Sequence, residues 1–184
     1  MVFRTVKDRS RCPRRVVRGS GGFTLIELLT VLVIGAILAA TAAPAMSSLG
    51  DSRAAVAARR LAGDLIFARQ WAVATGTGTW VVFDTGAERW SVLVEDPASP
   101  GRSGAAAMID PATGQAITVT LGAGSFAAVD LVSASFDGGL EVGFDWLGRP
   151  LNSAESSLTA TGTVTLSGGH QVQVVAGTGH IVDG

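Results

Sequence analysis

The sequence lacks several residue types that functional sites often use. It contains no tyrosine, only two histidines and a single cysteine, Cys12, which lies close to the N-terminus. The rest of the chain therefore has no disulfide, no thiolate metal site and no cysteine nucleophile. The abundant residues are Gly, Ala, Val and Thr, a composition that favours a β-rich body with many turns.

No motif for catalysis or metal binding is present either. No G-x-S-x-G nucleophile motif occurs, and the glycines at 76–78 and 122–124 do not follow the strand-to-helix pattern of a phosphate-binding loop. His170 and His180 have few carboxylates nearby, which favours structural or surface histidines. Acidic residues at 137, 141 and 145 fit either a calcium cluster or, more simply, a solvated acidic face. We therefore expect no enzyme activity, no metal and no cofactor.

Charge is distributed unevenly along the chain. Residues 1–22 carry seven basic residues and one acidic residue, a net charge of +6. Residues 23–184 carry seven arginines and fourteen acidic residues, a net charge of −7. This break in composition predicts that the basic head and the acidic body have different fates.

A long apolar run follows the basic head. From Phe23 to Ala43, Glu27 is the only ionisable residue. At about 1.5 Å per residue, a helix over this run crosses a hydrocarbon core of about 30 Å. The basic residues before it are expected to stay in the cytoplasm, which places the C-terminal body across the membrane.

Three interpretations of this run are open. A cleaved export signal fits the basic head and the A-x-A-like site around Pro44, but a carboxylate inside its apolar region counts against it. An ordinary anchor leaves Glu27 as a tolerated charge that costs about 2.5–3.5 kcal/mol at mid-membrane. A cut between Gly22 and Phe23 creates an amino group four residues before Glu27. In a bundle of parallel copies, one subunit's carboxylate then meets another's ammonium, so assembly relieves the cost of both charges.

The stretch G-F-T-L-I-E-L-L, from Gly22 to Leu29, resembles the prepilin signature of type IV pilins and type II secretion pseudopilins. The resemblance implies that a membrane-embedded prepilin peptidase cuts after Gly22 and methylates the new N-terminal residue, Phe23. It also implies that Glu27 helps to dock each subunit into the filament and that Pro44 bends the helix. The leader is longer and richer in arginine than in many members of these families.

After Pro44, apolar residues return at helical spacing. Residues three and four apart predict one face of a helix: Ala54, Ala58, Leu61, Leu65, Ala68 and Ala72. We expect the later turns to pack on the body and the small Ala54 and Ala58 to face neighbouring subunits. Gly76 is a natural stop, so the run from Phe23 onwards predicts one bent helix of about 80 Å.

Beyond Gly78 the apolar period changes to two, which predicts strands. Residues 80–83 and 90–94 flank a turn at 84–88 and form a hairpin, and residues 96–114 form a long loop. Further strands are expected at 116–121, 127–136, 140–144, 158–166, 171–175 and 180–182. The predicted fold class is α+β, with a long N-terminal helix packed on an antiparallel β domain of about eight strands.

Two further stretches narrow the family. The pattern A-x-x-L-x-x-D-L-x-x-A-R, from Ala58 to Arg69, and the strand with Trp90 are similar to the GspH/FimT group of minor pseudopilins. GFDWLGRP, from Gly143 to Pro150, is similar to a late element of that group. The resemblance implies a non-enzymatic minor pseudopilin in the tip region of a type II secretion pseudopilus, or one that primes a type IV pilus.

These inferences predict four segments. They are a basic prepilin leader at 1–22, a transmembrane helix segment at 23–46, an amphipathic continuation at 47–76 and a periplasmic β-rich domain at 77–184. The resemblance implies a single-pass protein of the inner membrane, with a cytoplasmic N-terminus and a periplasmic C-terminal domain. Expected partners are the prepilin peptidase, other major and minor pseudopilins, the inner-membrane assembly platform and the lipid membrane.

The alternative function is DNA capture, because some FimT-type relatives are DNA receptors for natural transformation. The DNA-binding version in that family uses a basic C-terminal segment, whereas residues 168–184 contain no Lys or Arg. Phosphate binding depends on clustered cations, and the chain after Gly22 is acidic. We therefore expect no binding of nucleic acid.

Overall fold

The computed structural model describes the backbone of residues 22–184 and the side chains of residues 22–39 and 49–184. The predicted leader therefore lies outside the described residues, apart from Gly22. The chain divides into two compact units, Met1–Ala42 and Ala43–Gly184. The second unit holds the whole buried core found in the described residues.

An α-helix, α1, extends over Leu25–Thr75. In the second unit one face of the helix is buried, as the apolar spacing predicts, and it includes Leu61, Leu65 and Ala68. The helix ends at Gly76, which has a φ of +72° and donates its N–H to the Ala72 carbonyl at 2.9 Å. Glycine takes this left-handed conformation without a steric penalty, so the predicted stop is confirmed.

No helix in the described part of the chain is long and apolar enough to cross a membrane. The helix assignment is continuous through Pro44. The bend at Pro44 and the boundary between 23–46 and 47–76 stay predictions.

Ten strands follow in the described residues. They are β1 Thr79–Asp84, β2 Arg89–Val94, β3 Ala106–Ala107, β4 Thr118–Thr120, β5 Leu131–Ser135, β6 Glu141–Phe144, β7 Pro150–Leu151, β8 Gly162–Leu166, β9 Gln171–Val174 and β10 Ile181–Asp183. One sheet has the order β3-β2-β1-β6-β7, with β4 also paired to β2, and the other has the order β10-β9-β8-β5. The described ladders in both sheets are antiparallel. The predicted α+β class is therefore confirmed.

The eight predicted strands are all present, and the structure adds β3 and β7. Both additional strands have only two residues, which is too short for an alternating pattern to appear in the sequence. β5 starts later than predicted because a 3₁₀ turn at Gly124–Phe126 and a positive φ at Ala128 precede it.

Both sheets and α1 contribute to one apolar core in the second unit. Phe83 and Trp90 are cross-strand partners in the hairpin of β1 and β2, and the Phe83 ring stacks on Phe136 with centroids 5.6 Å apart. Because side chains alternate along a strand, Trp80 points away from this core. Trp80 is nevertheless only 2% exposed, so the other face of the first sheet is covered at that position.

Candidate assembly site

The predicted docking residue, Glu27, lies in the first turn of α1. The Thr24 hydroxyl accepts a hydrogen bond from the Glu27 N–H at 3.3 Å, and the Thr24 carbonyl accepts one from the Leu28 N–H at 3.1 Å. Thr24 is therefore the N-cap, and T-L-I-E has the spacing of a capping box. A carboxylate in the first turn also interacts favourably with the positive end of the helix dipole. Glu27 thus has a local role in starting the helix.

The two predicted cleavage residues come just before the helix and are exposed. A Cβ placed on Gly22 would meet no atom within 4 Å, and Phe23 is 79% exposed. An exposed segment outside regular structure is suited to cleavage by a peptidase. The structure therefore brings the predicted cleavage, methylation and docking residues together at the start of α1.

The apolar run after Phe23 is exposed on all sides of the helix. Every described side chain from 22 to 39 is exposed, including Leu25 at 84%, Ile26 at 69% and Leu38 at 63%. A helix that is apolar all round normally lies in lipid or in the core of an assembly. This surface therefore needs a partner.

A second apolar surface lies on the part of α1 that belongs to the body. Leu49, Val56, Ile66 and Val73 are between 41% and 57% exposed, and Gly63 is exposed with open space around it. Their spacings of seven and three residues place them on one side of a helix. We call these five residues the outer stripe.

The outer stripe corrects one prediction. Ala54 and Ala58 were expected to face neighbouring subunits, but both are 1% exposed and belong to the core. That prediction is wrong because the sheets cover the small-residue face of the helix and leave the opposite face, with its larger apolar side chains, open.

The motif from Ala58 to Arg69 has structural roles. Asp64 is 6% exposed, accepts a hydrogen bond from Trp90 Nε1 at 2.9 Å and pairs with Arg60 at 3.1 Å. Burial raises the pKa of the Asp64 carboxyl by desolvation, and the contacts with Trp90 and Arg60 oppose that rise. Asp64 therefore ties α1 to β2.

Arg69 ties the same helix to two turns. Its Nε donates to the Gly148 carbonyl at 3.0 Å, and its guanidinium also donates to the Thr178 carbonyl at 3.1 Å. The turn at Gly148 follows β6 and the turn at Thr178 precedes β10. An arginine suits the end of the motif, because its fork of donors binds two carbonyls at once.

The late element GFDWLGRP forms the turn between β6 and β7. Asp145 Oδ1 accepts hydrogen bonds from the N–H groups of Leu147 at 2.9 Å and Arg149 at 2.8 Å, and Asp145 Oδ2 pairs with the Arg149 guanidinium at 2.7 Å. Partial burial alone would raise the pKa of Asp145, but these hydrogen bonds together lower it. At the tip, Trp146 and Leu147 remain 60% and 49% exposed.

The calcium cluster considered from the sequence does not form. Asp137 accepts hydrogen bonds from the N–H groups of Thr159 and Ala160, whereas Glu141 pairs with Arg102 at 2.8 Å. Asp145 pairs with its own turn, so the three carboxylates serve different segments. The described residues contain no group of three potential metal ligands.

The two histidines have separate surroundings. His170 Nε2 lies 3.1 Å from Asp51 Oδ1, which joins the turn after β8 to α1. His180 is exposed, and its backbone N–H donates to the Thr178 hydroxyl at 3.2 Å.

Sequence reasoning missed three features of the site. The cap at Thr24 has a visible signal, the T-x-x-E spacing. The outer stripe also has one, the seven-residue spacing of Leu49, Val56 and Gly63. The exposure of Trp146 had no signal, because it depends on which distant segments lie against the turn.

Two family models match the sequence. The prokaryotic N-terminal methylation motif matches residues 17–43, and the type II transport protein GspH matches residues 57–179, which is more than half of the chain. No curated protein matches.

Two solved structures of the minor pseudopilin EpsH from the type II secretion system of Vibrio cholerae have a similar fold. One aligns with a TM-score of 0.51 at 14% identity and covers 71% of this chain and 94% of EpsH. The other aligns with a TM-score of 0.52 at 15% identity and covers 72% and 94%. At these identities the likeness concerns the fold.

Proposed function

Because the chain belongs to the family of the type II transport protein GspH, we propose that it is cut between Gly22 and Phe23 and packs into a pseudopilus through Glu27. The family consists of structural subunits of type II secretion, and the predicted resemblance to a GspH/FimT-type minor pseudopilin is confirmed. The alternative role in DNA capture is not favoured by this membership.

The observation that carries the proposal is the exposed apolar surface at the start of α1 with a single carboxylate in it. Its described side chains are exposed, and Glu27 lies four residues after the proposed new amino group on Phe23. An ammonium and a carboxylate are each costly in an apolar layer, and pairing between neighbouring subunits offsets that cost. Assembly is then favoured over a lone subunit.

The methylation motif over residues 17–43 supports processing by the prepilin peptidase. We place the leader in the cytoplasm because it is basic, residues 23–46 in the inner membrane and the acidic body in the periplasm. The membrane and the assembly platform hold the subunit before it joins other major and minor pseudopilins. In the filament we place it in the tip region, with its β domain facing partner pseudopilins or cargo.

The test is Glu27→Ala in the full chain, expressed in cells that assemble the filament. We expect normal cleavage and methylation, read from the mass of the N-terminal peptide that begins at Phe23. Recovery with filament partners should fall at least about tenfold, because an ammonium left unpaired in an apolar layer costs about 3–5 kcal/mol.

Thr24→Ala is the matched control, since it removes the helix cap and keeps the carboxylate. We expect a smaller loss, because an N-cap contributes about 0.5–2 kcal/mol. Recovery of the Glu27 variant at the unsubstituted level would refute docking through Glu27. An equal loss in both variants would assign the effect to the start of the helix.

A further inference from the structure

The turn after β6 places two apolar side chains at the surface although the rest of its residues serve the fold. Phe144 is buried in the core, and Asp145 and Arg149 close the turn. A Cβ on Gly148 would lie 3.0 Å from Val73 Cγ2, so this glycine permits close contact with α1. Trp146, at 60% exposed, has no comparable internal role.

On one side of the tip the surface is apolar. Leu147 lines an open groove together with Val73, Ala74 and the side chains of Arg69 and Gln70. Val73 is also the last residue of the outer stripe, so the groove continues the exposed apolar face of the helix. An apolar side chain from another molecule fits this groove.

On the other side of the tip the surface is acidic. Trp146 lines a second groove together with Glu95, Asp145 and Glu155. Glu95 accepts hydrogen bonds from the N–H groups of Gly78 at 2.6 Å and Gly101 at 2.7 Å. These neutral donors hold the Glu95 carboxylate in place and leave its charge uncompensated.

Glu155 is held in a similar way, because its Oε1 accepts a hydrogen bond from the backbone N–H of Arg102 at 3.0 Å. The exposed Trp146 ring lies on the same groove, and an indole face attracts a cation. Carboxylates beside an exposed indole therefore favour a Lys or Arg side chain as the occupant.

The floor of this groove is an indole ring. Trp80 lines the groove and is 2% exposed, yet its indole N–H has no hydrogen-bond partner among the described residues. A Cβ on Gly143 would lie 2.6 Å from Trp80 Nε1, so the glycine makes room for the ring. A buried N–H without an acceptor is unusual in native proteins, but this one is closed to solvent, so the Trp80 ring serves as the floor of the groove.

We propose that Trp146 and Leu147 form a docking tip for a neighbouring pseudopilin that presents a Lys or Arg side chain next to an apolar side chain. The cation lies against Trp146, Glu95 and Glu155, and the apolar side chain lies against Leu147 and Val73. This inference rests on the proposed function, because it requires the chain to be in a filament.

The test places a photo-crosslinking residue, p-benzoylphenylalanine, at Leu147 of the full chain in cells that assemble the filament. After irradiation, the crosslinked peptide is identified by mass spectrometry. We expect an adduct with another pseudopilin, in a peptide that carries Lys or Arg next to the crosslinked site. Val132, 61% exposed on β5, is the control position and should not label that peptide.

Substitutions of groove residues, each combined with the crosslinking residue at Leu147, test the chemistry of the groove. Glu155→Gln keeps an oxygen acceptor for the backbone N–H of Arg102 and removes the charge, so it should lower the adduct yield. Glu95→Gln also removes the charge and should lower the yield, although it keeps an oxygen for only one of the two backbone N–H groups that Glu95 binds. Asp183→Asn, an exposed carboxylate on β10, should leave the yield unchanged. Trp146→Ala should lower the yield about two- to thirtyfold, the range of a cation–π contact, and Trp146→Phe should lower it less.

Filament recovery is measured in the same samples and separates the two proposals. If the protein is recovered with filaments, then an adduct with lipid, with a secreted protein or with a peptide without Lys or Arg overturns the docking tip alone. The absence of any adduct, or yields that do not respond to the two glutamine variants, overturns it too. If the unsubstituted protein is never recovered with filaments, the proposed function fails, and the docking tip fails with it.

Discussion

At the scale of single residues, the carboxylates of this protein act mainly as internal acceptors. Glu95, Asp137 and Asp145 each bind backbone N–H groups of a loop or turn, and Asp64 binds the indole of Trp90. An acidic composition therefore does not mean a uniformly solvated acidic face. Several of these groups determine which loop lies next to which strand.

Asp64 gives a prediction at this scale, measured by urea unfolding of residues 47–184, which contain the described core. Asp64→Ala leaves the Trp90 indole without an acceptor, so the free energy of unfolding should fall by about 1–3 kcal/mol. Asp64→Asn keeps an acceptor and should cost less. An equal loss in both variants would show that the hydrogen bond to Trp90 is not what matters.

The stability difference between the unsubstituted protein and Asp64→Asn should depend on pH. Burial raises the folded-state pKa of Asp64 above its ordinary value of 3.8, so the folded state binds the proton more tightly than the unfolded state. The contribution of Asp64 to the free energy of unfolding therefore increases as the pH falls through the raised pKa. Relative to Asp64→Asn, the unsubstituted protein should gain stability from about pH 7 to about pH 4. A relative loss of stability in acid would contradict the effect of burial.

At the scale of elements, α1 has two apolar faces in the body, and only one of them is used internally. The face with Leu61, Leu65 and Ala68 packs on the sheets, and the outer stripe with Val56 and Ile66 remains exposed. Buried leucines of this kind stabilise the fold by about 1.5–3 kcal/mol each, whereas exposed apolar side chains contribute little. The outer stripe therefore contributes little to the stability of the fold.

For the outer stripe we predict that substitutions weaken assembly without lowering the stability of the fold. Val56→Ser together with Ile66→Ser should change the free energy of unfolding of residues 47–184 by no more than about 0.5 kcal/mol per site. The same pair in the full chain should reduce recovery with filament partners. Val132→Ser, on β5, is the control for an exposed valine elsewhere. Full recovery of the double variant would show that the stripe is not an assembly surface.

At the scale of the whole molecule, the charges of the body disfavour binding to nucleic acid. Residues 47–184 hold seven arginines and thirteen acidic residues, a net charge of −6. Four of these arginines pair with carboxylates: Arg60, Arg89, Arg102 and Arg149. Arg53 and Arg69 donate to carbonyls instead. The positive charge is therefore spread out and largely neutralised.

We expect no binding when residues 47–184 are titrated against double-stranded DNA, even at low salt. Binding to phosphates requires clustered cations and weakens as salt is added. A basic DNA-binding domain measured under the same conditions is the positive control. Saturable binding that weakens with salt would contradict the charge argument and support DNA capture as the function.

Features that depend on neighbours along the chain were predictable from the sequence. The N-terminal methylation motif, the helix up to Gly76 and the eight longer strands all carry local signals, because period and turn chemistry are properties of consecutive residues. The family could be predicted for the same reason, since the pattern from Ala58 to Arg69 that resembles it is contiguous. β3 and β7 could not, because they exist only through pairing with β2 and β6.

The sequence by itself determined which residues share a face, but only the tertiary structure decided which face is covered. Periodicity placed Ala54 and Ala58 on one side of α1, and it took the packing of two sheets to show that this side is buried. Likewise, Trp80 and Trp146 carry the same large apolar side chain, yet one is 2% and the other 60% exposed. The physical reason is that burial depends on contacts between segments far apart in the chain, which no local pattern records.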